Sequence, residues 1–221
     1  MTLPDLSDTV IVFDLDDTLY KEADYHASGL SAVCDWIEAL YGTTVTDSLH
    51  ELQAAGEADL LAGLCRLSGL PLSVKESLLW MYRLHSPEIQ LSPQVSALVE
   101  QVEALCKVAI LTDGRSISQR QKLKALGLSH LPAYISEEHG ADKPSPLRFE
   151  LIMCEMPAKR YVYVGDNPKK DFIAPNALGW VTIGLRDDGR NIHRQQLDNL
   201  PIDQLPNHWI DSLDEILNCI C

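Results

Sequence analysis

Apolar residues follow two different spacings along this chain. Short runs rich in β-branched residues predict buried parallel strands, and the segments between them carry apolar residues three and four positions apart, which predicts amphipathic helices. Strands and helices that alternate at this pitch are typical of a parallel sheet with helices on both faces. The pattern therefore predicts an α/β, doubly wound fold with strands at residues 10–13, 106–112, 133–136, 161–165 and 180–185.

Caps and turn residues delimit the helices between these strands. Ser92-Pro93 is a typical helix start and Gly127 a typical helix end. Residues 186–208 are polar and follow neither spacing, so they are predicted to be irregular. The predicted helices are 92–105, 116–126, 146–156, 169–178 and a final short one at 211–217.

Residues 21–91 show helical spacing and no strand. A segment of this length is not an ordinary loop, and four short helices can form a small bundle. These helices are predicted at residues 30–41, 49–52, 60–67 and 74–82. The sequence thus predicts a core domain formed by residues 1–20 and 92–221, with residues 21–91 as an inserted helical domain.

The chain has 221 residues and a formal net charge of −14. This charge disfavours electrostatic binding to nucleic acid or to an anionic membrane, and no apolar run approaches the roughly 20 residues of a transmembrane helix. The first residues lack the apolar stretch of a signal peptide, and the six cysteines form no CxxC pair. We therefore expect a cytoplasmic protein whose cysteines are reduced, packed thiols.

Three aspartates, Asp14, Asp16 and Asp17, directly follow the first predicted strand. Burying carboxylates is costly unless a cation or hydrogen bonds compensate. The stretch is therefore either a solvated acidic turn or a site that holds a metal ion, and by itself it favours the turn.

More polar residues follow later strands, at the sheet edge where open parallel sheets bind ligands. Each alone has a structural explanation, as a strand-to-helix turn, a surface lysine or a helix cap. Their joint occurrence at the carboxyl ends of successive strands favours a ligand site instead. These residues are Thr112, Asp113, Gly114, Lys143, Asp166 and Asp171.

Together the motifs resemble those of the haloacid dehalogenase (HAD) superfamily. They read DLDDTL at 14–19, LTDG at 111–114, KPSP at 143–146 and GDNPKKD at 165–171. The resemblance covers nearly the whole chain and implies a Rossmann-like core with a helical cap inserted after the first motif. Asp113 departs from the Asn usual in the family, and because this residue would act mainly through its backbone, we expect little consequence.

The resemblance implies catalytic roles for Asp14, Asp16, Thr112 and Lys143. Asp14 is the expected nucleophile, which attacks phosphorus and forms an aspartyl-phosphate. Asp16 is the expected general acid and base, and the surrounding carboxylates are expected to keep it protonated at the start. Since the dehalogenase branch lacks an acid at this position, the presence of Asp16 favours a phosphoryl-transfer member.

The resemblance also implies binding roles at the same edge. Oxygen ligands suit Mg²⁺, and preorganised donors suit phosphoryl oxygens. The expected ligands of Mg²⁺ are the side chains of Asp14 and Asp166 and the backbone carbonyl of Asp16, with Asp171 acting directly or through water. The expected phosphate contacts are the side chains of Thr112 and Lys143 and the N–H groups of Asp113 and Gly114.

These expectations lead to a Mg²⁺-dependent phosphatase that acts on a small phosphomonoester, such as a sugar phosphate or a nucleotide. A phosphosugar mutase with the same nucleophile is an alternative. A non-catalytic relative that scaffolds a partner is another, although the intact set of clustered charges argues against it. The sequence leaves the substrate open, and with it the oligomeric state, monomer or homodimer.

Several residues beside the motifs have less defined roles in the sequence. Arg115 either contacts the substrate or belongs to a surface helix end. Asp17 is expected to stabilise the turn, and Lys169 and Lys170 are expected to be solvated. Residues at the junction of core and cap either guide closure and substrate choice or simply pack. The junction residues are Tyr20, Lys21, Tyr25 and His26.

Overall fold

The computed structural model describes residues 5–220 and contains two compact units. The core unit comprises Met1–Ala23 and Ile89–Cys221, and the cap unit comprises Asp24–Glu88. The predictions that concern Cys221 lie outside the described residues.

The cap unit is helical throughout its regular structure. Its cluster of buried apolar side chains includes Val33, Ile37, Leu49, Leu64 and Leu78, which share the helical spacing seen in the sequence. Its helices are α1 (Glu22–Tyr41, starting within the core unit), α2 (Thr46–Ala54), α3 (Leu60–Leu67) and α4 (Lys75–Leu84), with a 3₁₀ turn at Leu72–Val74.

The core unit contains a sheet of six parallel strands. They are β1 (Thr9–Phe13), β2 (Lys107–Thr112), β3 (Ala133–Ile135), β4 (Arg160–Gly165), β5 (Val181–Leu185) and β6 (His208–Ile210). Their order is β3-β2-β1-β4-β5-β6, and every neighbouring pair is parallel. This order reverses between β1 and β4, the place where doubly wound sheets bind ligands. The predicted α/β doubly wound core is confirmed.

The helices of the core unit connect successive strands. Ser92 caps α5 by accepting a hydrogen bond from the N–H of Val95 at 3.2 Å, with Pro93 in the first turn, so the predicted helix start is confirmed. The helices are α5 (Pro93–Leu105), α6 (Ser116–Ala125), α7 (Ser136–His139), α8 (Leu147–Glu155), α9 (Ile173–Ala177) and α10 (Ile216–Cys219), with 3₁₀ turns at Ile202–Gln204 and Leu213–Glu215.

Strand β1 lies in the centre of this sheet. Residues 10–13 are fully buried, as expected for a strand covered on both faces. One face contributes Val10 and Val12 to a cluster with Phe149 and Tyr163. The central position of β1 places the residue that follows it, Asp14, in the middle of the carboxyl edge.

The sequence pattern missed strand β6. It lies at the end of the segment predicted to be irregular and pairs with β5, where Ile183 faces His208 and Leu185 faces Ile210. Three residues are too few to show a strand period. No helix within residues 5–220 has the combination of length and apolar character that crossing a membrane requires.

Candidate active site

Asp14 begins the loop that follows β1. Its N–H donates to the carbonyl of Val164 in β4 at 2.8 Å, so the sheet ladder continues to this residue and fixes its backbone. The side chain is almost fully buried. Asp17 fixes the conformation of this loop, because its carboxylate accepts hydrogen bonds from the N–H groups of Glu22 and Ile192, each at 3.0 Å. Asp17 thus stabilises the turn, as predicted.

Asp14, Asp166 and Asp171 meet at the carboxyl ends of β1 and β4. One carboxylate oxygen from each lies within 4.8 Å of the others, and all three residues are buried. Gly165 permits the approach of Asp171, because a Cβ at residue 165 would lie 2.6 Å from Asp171 Oδ2. This donor set, oxygen only and closely spaced, fits Mg²⁺.

The environment disfavours negative charge on two of these carboxylates. Burial raises the pKa of Asp14 to about 6, against the opposing effect of Lys143 and with a further contribution from Asp171. Burial also raises the pKa of Asp166 to about 8, with Asp171 and Asp14 adding to the shift. Carboxylates in this situation gain charge stabilisation from a bound cation.

Lys143 is a fully buried cation beside this cluster. Its Nζ lies 2.9 Å from Asp14 Oδ1 and 2.7 Å from Asp171 Oδ1, and it donates to the hydroxyl of Tyr163 at 2.9 Å. Burial acts against its charge, but Asp14 and Asp171 outweigh burial and raise the pKa of Lys143 above its usual range. The ammonium group is therefore fixed between the carboxylates of Asp14 and Asp171, two members of the oxygen cluster.

Thr112 ends β2 next to β1. The residue is 1% exposed, and its Oγ1 has no hydrogen-bond partner among residues 5–220. Buried hydroxyls without partners are rare in proteins. This hydroxyl is thus available to a ligand.

Asp113 is anchored by cations. Its carboxylate contacts the guanidinium of Arg148 and, at 3.4 Å, the Nζ of Lys170, and it accepts from the N–H of Lys143 at 3.2 Å. Burial alone would raise the pKa of Asp113, but Lys143, Lys170 and Arg148 lower it overall. The expectation of a solvated Lys170 is wrong because the side chain lies over Asp113, whereas Lys169 is exposed as predicted.

Arg148 is a site residue that the sequence did not indicate. It is 1% exposed and donates to the carbonyls of Thr112 at 2.8 Å and Tyr134 at 3.0 Å. One guanidinium therefore ties the ends of β2 and β3 together. Its position two residues after the KPSP motif is the only signal in the sequence.

Gly114 and Arg115 each contact a residue of α7. The N–H of Gly114, at φ +133°, donates to Ser136 Oγ at 2.9 Å. Arg115 is mostly exposed and pairs with Glu137 at 2.7 Å. The expected contact of the Gly114 N–H with phosphoryl oxygens stays a prediction, and Arg115 lies at the surface.

Asp16 is surrounded by donors. It lies 2.7 Å from Lys122 Nζ, accepts from Gln119 Nε2 at 2.9 Å and accepts from the hydroxyl of Tyr20. Burial would raise the pKa of Asp16. The charge of Lys122 and the hydrogen bonds from Lys122, Tyr20 and Gln119 outweigh burial and lower this pKa overall. The expected protonated Asp16 is therefore wrong for this state, because the sequence did not show the nearby ammonium group.

A polar segment near the C-terminus completes the surroundings of Asp166. Asn191 is buried and donates to Asp166 Oδ2 at 2.9 Å, and Gln195 donates to the Asp166 carbonyl at 2.6 Å. Lys21 donates to the Asn191 side-chain oxygen at 2.8 Å. The segment is predicted from the sequence to be irregular, and Asn191 and Gln195 were not predicted because neither belongs to a motif.

The other junction residues pack within the cap unit. Tyr82 donates or accepts a hydrogen bond with His26 at 2.8 Å, and the Tyr25 ring lies 5.6 Å from that of Tyr82 and 5.1 Å from that of His85. Tyr25 and His26 therefore join the start of α1 to the end of α4.

Most of the predicted residues of the core unit line one concavity, among them Asp14, Asp16 and Thr112. Lys143 and Asp171 are buried beside Asp14 without lining it, and Gly114 does not line it either. The lining is completed by Asp17, Glu22, Asp113, Asp166, Asn167, Lys170 and His193. Carboxylates, a free hydroxyl and ammonium groups thus converge where strand order reverses, an arrangement that can bind a metal ion and an anion together.

Comparison with known proteins places this arrangement in a family. Residues 9–179 match the model of the haloacid dehalogenase-like hydrolases. A ribulose-1,5-bisphosphate 5-phosphatase of Halopiger xanaduensis is 26% identical, over 96% of this chain and 99% of that protein. A phosphoserine phosphatase of Thermus thermophilus is 30% identical, over 78% of this chain and 74% of that protein.

A solved structure agrees on the fold. A 2-haloacid dehalogenase from Pseudomonas syringae superposes with a TM-score of 0.64 over 97% of this chain and 98% of that chain, at 18% identity. The predictions of a HAD-type enzyme and of a phosphoric monoester hydrolase are confirmed by the family match and the curated relatives. The chain belongs to the haloacid dehalogenase-like hydrolases.

Proposed function

We propose that this protein is a Mg²⁺-dependent phosphatase that hydrolyses a small phosphomonoester through a phosphorylated Asp14. The observation that carries the proposal is the position of Asp14. It ends the central strand and contacts Lys143 on one side, and on the other it shares an oxygen cluster with Asp166 and Asp171. A carboxylate held between cations and a metal ion can approach a phosphate dianion that would otherwise repel it.

In the first half-reaction an oxygen of Asp14 attacks phosphorus and the bond to the leaving oxygen breaks. The carboxylate needs no separate base because it is already ionised when a metal ion is bound. The leaving oxygen takes a proton from Asp16. The products of this step are the free alcohol and phospho-Asp14.

Three groups would hold the phosphoryl oxygens during this transfer. Thr112 offers its unpaired hydroxyl, Lys143 offers an ammonium group that contacts Asp14, and Lys170 offers an ammonium group at the concavity. The backbone N–H of Asp113 adds a further donor, whose position is fixed by the anchoring of Asp113 to Arg148. Preorganised donors of this kind stabilise the charge that develops on the equatorial oxygens.

In the second half-reaction water attacks phosphorus, the bond from Asp14 to phosphorus breaks, and Asp16 takes the proton from water. The ionised Asp16 of this structure is the form required for that step. The acid role in the first half requires Asp16 to gain a proton, which the charge of a neighbouring phosphate dianion would favour.

Mg²⁺ would be held by the side chains of Asp14, Asp166 and Asp171 and the backbone carbonyl of Asp16. When bound, it would offset the clustered carboxylate charge and polarise a phosphoryl oxygen. Asn191 and Gln195 would keep Asp166 in position for it.

Small phosphorylated metabolites are the substrate class that the relatives support. The curated relatives act on ribulose-1,5-bisphosphate, glyceraldehyde 3-phosphate and phosphoserine. Each is a small ester of a short carbon skeleton, with one phosphate group or, in ribulose-1,5-bisphosphate, two. We propose a substrate of that size for this protein.

Phosphate release across a panel of sugar phosphates, nucleotides, phosphoglycolate and phosphoserine tests the proposal. The assay is run with Mg²⁺, with chelator, and with D14N. The proposal predicts turnover that disappears with chelator and with D14N. Isomerisation with little phosphate release would indicate a mutase, and turnover by D14N would overturn the proposal.

A further inference from the structure

Three side chains of the core unit converge on the carboxylate of Asp16. Lys122 Nζ and the Tyr20 hydroxyl contact Oδ1, and Gln119 Nε2 donates to Oδ2. Lys122 and Gln119 lie three residues apart on α6 and therefore face the same way. We name Tyr20, Gln119 and Lys122 the Asp16 clamp.

Lys122 has an unusual environment for a lysine. Its side chain is 4% exposed, and that of Asp16 is 17% exposed, whereas Lys124 on the same helix is exposed. Burying an ammonium group is costly even when it is paired. Apolar residues of similar volume usually stabilise such a position equally well or better. Stability alone therefore does not account for a lysine at residue 122.

Gln119 links the clamp to the neighbouring motif. The same amide nitrogen that donates to Asp16 donates to the carbonyl of Asp113 at 2.8 Å. Gly114 leaves room for it, because a Cβ at residue 114 would lie 2.8 Å from Gln119 Nε2. The clamp thus fixes the Asp16 carboxylate relative to the loops after both β1 and β2.

We propose that Lys122 is a positioning residue for the reaction: with Gln119 and Tyr20 it holds the Asp16 carboxylate where it exchanges a proton with the leaving oxygen. This inference rests on the proposed function. Lys122 acts through Asp16. Both carboxylate oxygens of Asp16 accept hydrogen bonds, and the donors are the three side chains of the clamp. Loss of the clamp frees the carboxylate to rotate and leaves Asp14 and the metal cluster intact.

The dependence of kcat/KM on the leaving group distinguishes this positioning role from a purely structural role of Lys122. Phenyl phosphate and 4-nitrophenyl phosphate have similar shapes, but phenoxide needs a proton to leave far more than 4-nitrophenoxide does. For K122M we expect kcat/KM to fall about 100-fold with phenyl phosphate, within the range of general acid catalysis. With 4-nitrophenyl phosphate we expect a loss of less than about 5-fold. K124M on the same helix is the matched control and should retain both values.

A double-mutant cycle with the best substrate of the panel provides a second readout. If Lys122 acts through Asp16, K122M lowers kcat/KM in the wild-type background and has no further effect in D16N. Equal losses for both aryl esters, or additive losses with D16N, would overturn the inference. Should K122M not fold, as judged by its thermal unfolding, Y20F carries the same comparison, with a smaller loss in the same direction.

The outcome for D14N keeps the two proposals apart. D14N that retains turnover overturns the proposed function and this inference together. An inactive D14N with a K122M variant indistinguishable from K124M overturns this inference alone.

Discussion

Single residues at this site are constrained by contacts that lie far apart in sequence. Asp14, Asp166 and Asp171 could be predicted from their motifs, and the structure brings them together, although their roles stay predictions. Arg148, Gln119, Lys122 and Asn191 could not, because nothing local distinguishes a buried cation or amide from a surface one. Each of them has a partner at the site that lies between 25 and 106 positions away. Tertiary packing alone selects them.

The buried Arg148 predicts a measurable energetic coupling with Asp113. Removing one partner of a buried ion pair leaves the other charge uncompensated, at a cost of about 3–5 kcal/mol. We expect R148M to lower the free energy of unfolding by about that amount and D113N/R148M to be less destabilised than the sum of the single variants. Urea unfolding of all four proteins measures this, and strict additivity would show that the pair is not coupled.

The close approach of Asp171 to Gly165 predicts that a side chain at residue 165 weakens metal binding. The Cβ introduced by G165A would lie 2.6 Å from Asp171 Oδ2, so Asp171 must move out of the oxygen cluster. We expect Mg²⁺ affinity to fall at least about 10-fold, the range seen when support of a metal ligand is lost. Calorimetric titration with Mg²⁺ measures the affinity, and a G165A variant with wild-type affinity would contradict the assignment of Asp171 as a ligand.

At the scale of elements, the strands that carry motifs were predictable and their supports were not. β1, β2 and β4 each contain an apolar run (VIVF, VAIL and YVYV), and the motifs lie at their carboxyl ends. β6 has three residues, and the polar segment between β5 and β6 has no period at all. That segment nevertheless supplies Asn191 and Gln195 to Asp166. Its structure depends on side-chain hydrogen bonds to the site, which hydrophobic patterning does not encode.

The hydrogen bonds between the segment before β6 and Asp166 predict that this segment supports metal binding. N191A removes the hydrogen bond to Asp166 and the link to Lys21, and Asp166 then loses orientation. We expect a Mg²⁺ affinity about 10-fold weaker with little change in thermal stability. N218A, an exposed amide on α10, is the matched control. Equal affinities of N191A and N218A would show that the segment does not support the site.

At the scale of the whole molecule, the buried carboxyls of the site make the free energy of unfolding depend on pH when no metal ion is bound. Burial raises the pKa of Asp14 to about 6, of Glu22 to about 7 and of Asp166 to about 8, compared with unfolded values near 4. A carboxyl with a raised pKa in the folded state favours folding while protonated. That contribution is complete below about pH 4 and is lost as the pH rises through 6 to 8.

This linkage predicts opposite pH trends with and without metal. In chelator, the melting temperature should fall between pH 5 and pH 9. Mg²⁺ binds the deprotonated carboxylates, so it should raise the melting temperature most at the alkaline end. D166N should show a smaller fall in chelator. Scanning calorimetry across this range tests the linkage, and a pH-independent effect of Mg²⁺ would contradict it.

The central claim is that the phosphoryl group passes through Asp14. The most direct measurement is an acid quench of the enzyme during turnover of its best substrate with Mg²⁺, followed by peptide mapping by mass spectrometry. The account predicts a phosphoryl adduct on the peptide that contains Asp14, present during turnover and absent from D14N. Full turnover with no adduct on that peptide, together with an active D14N, would contradict it.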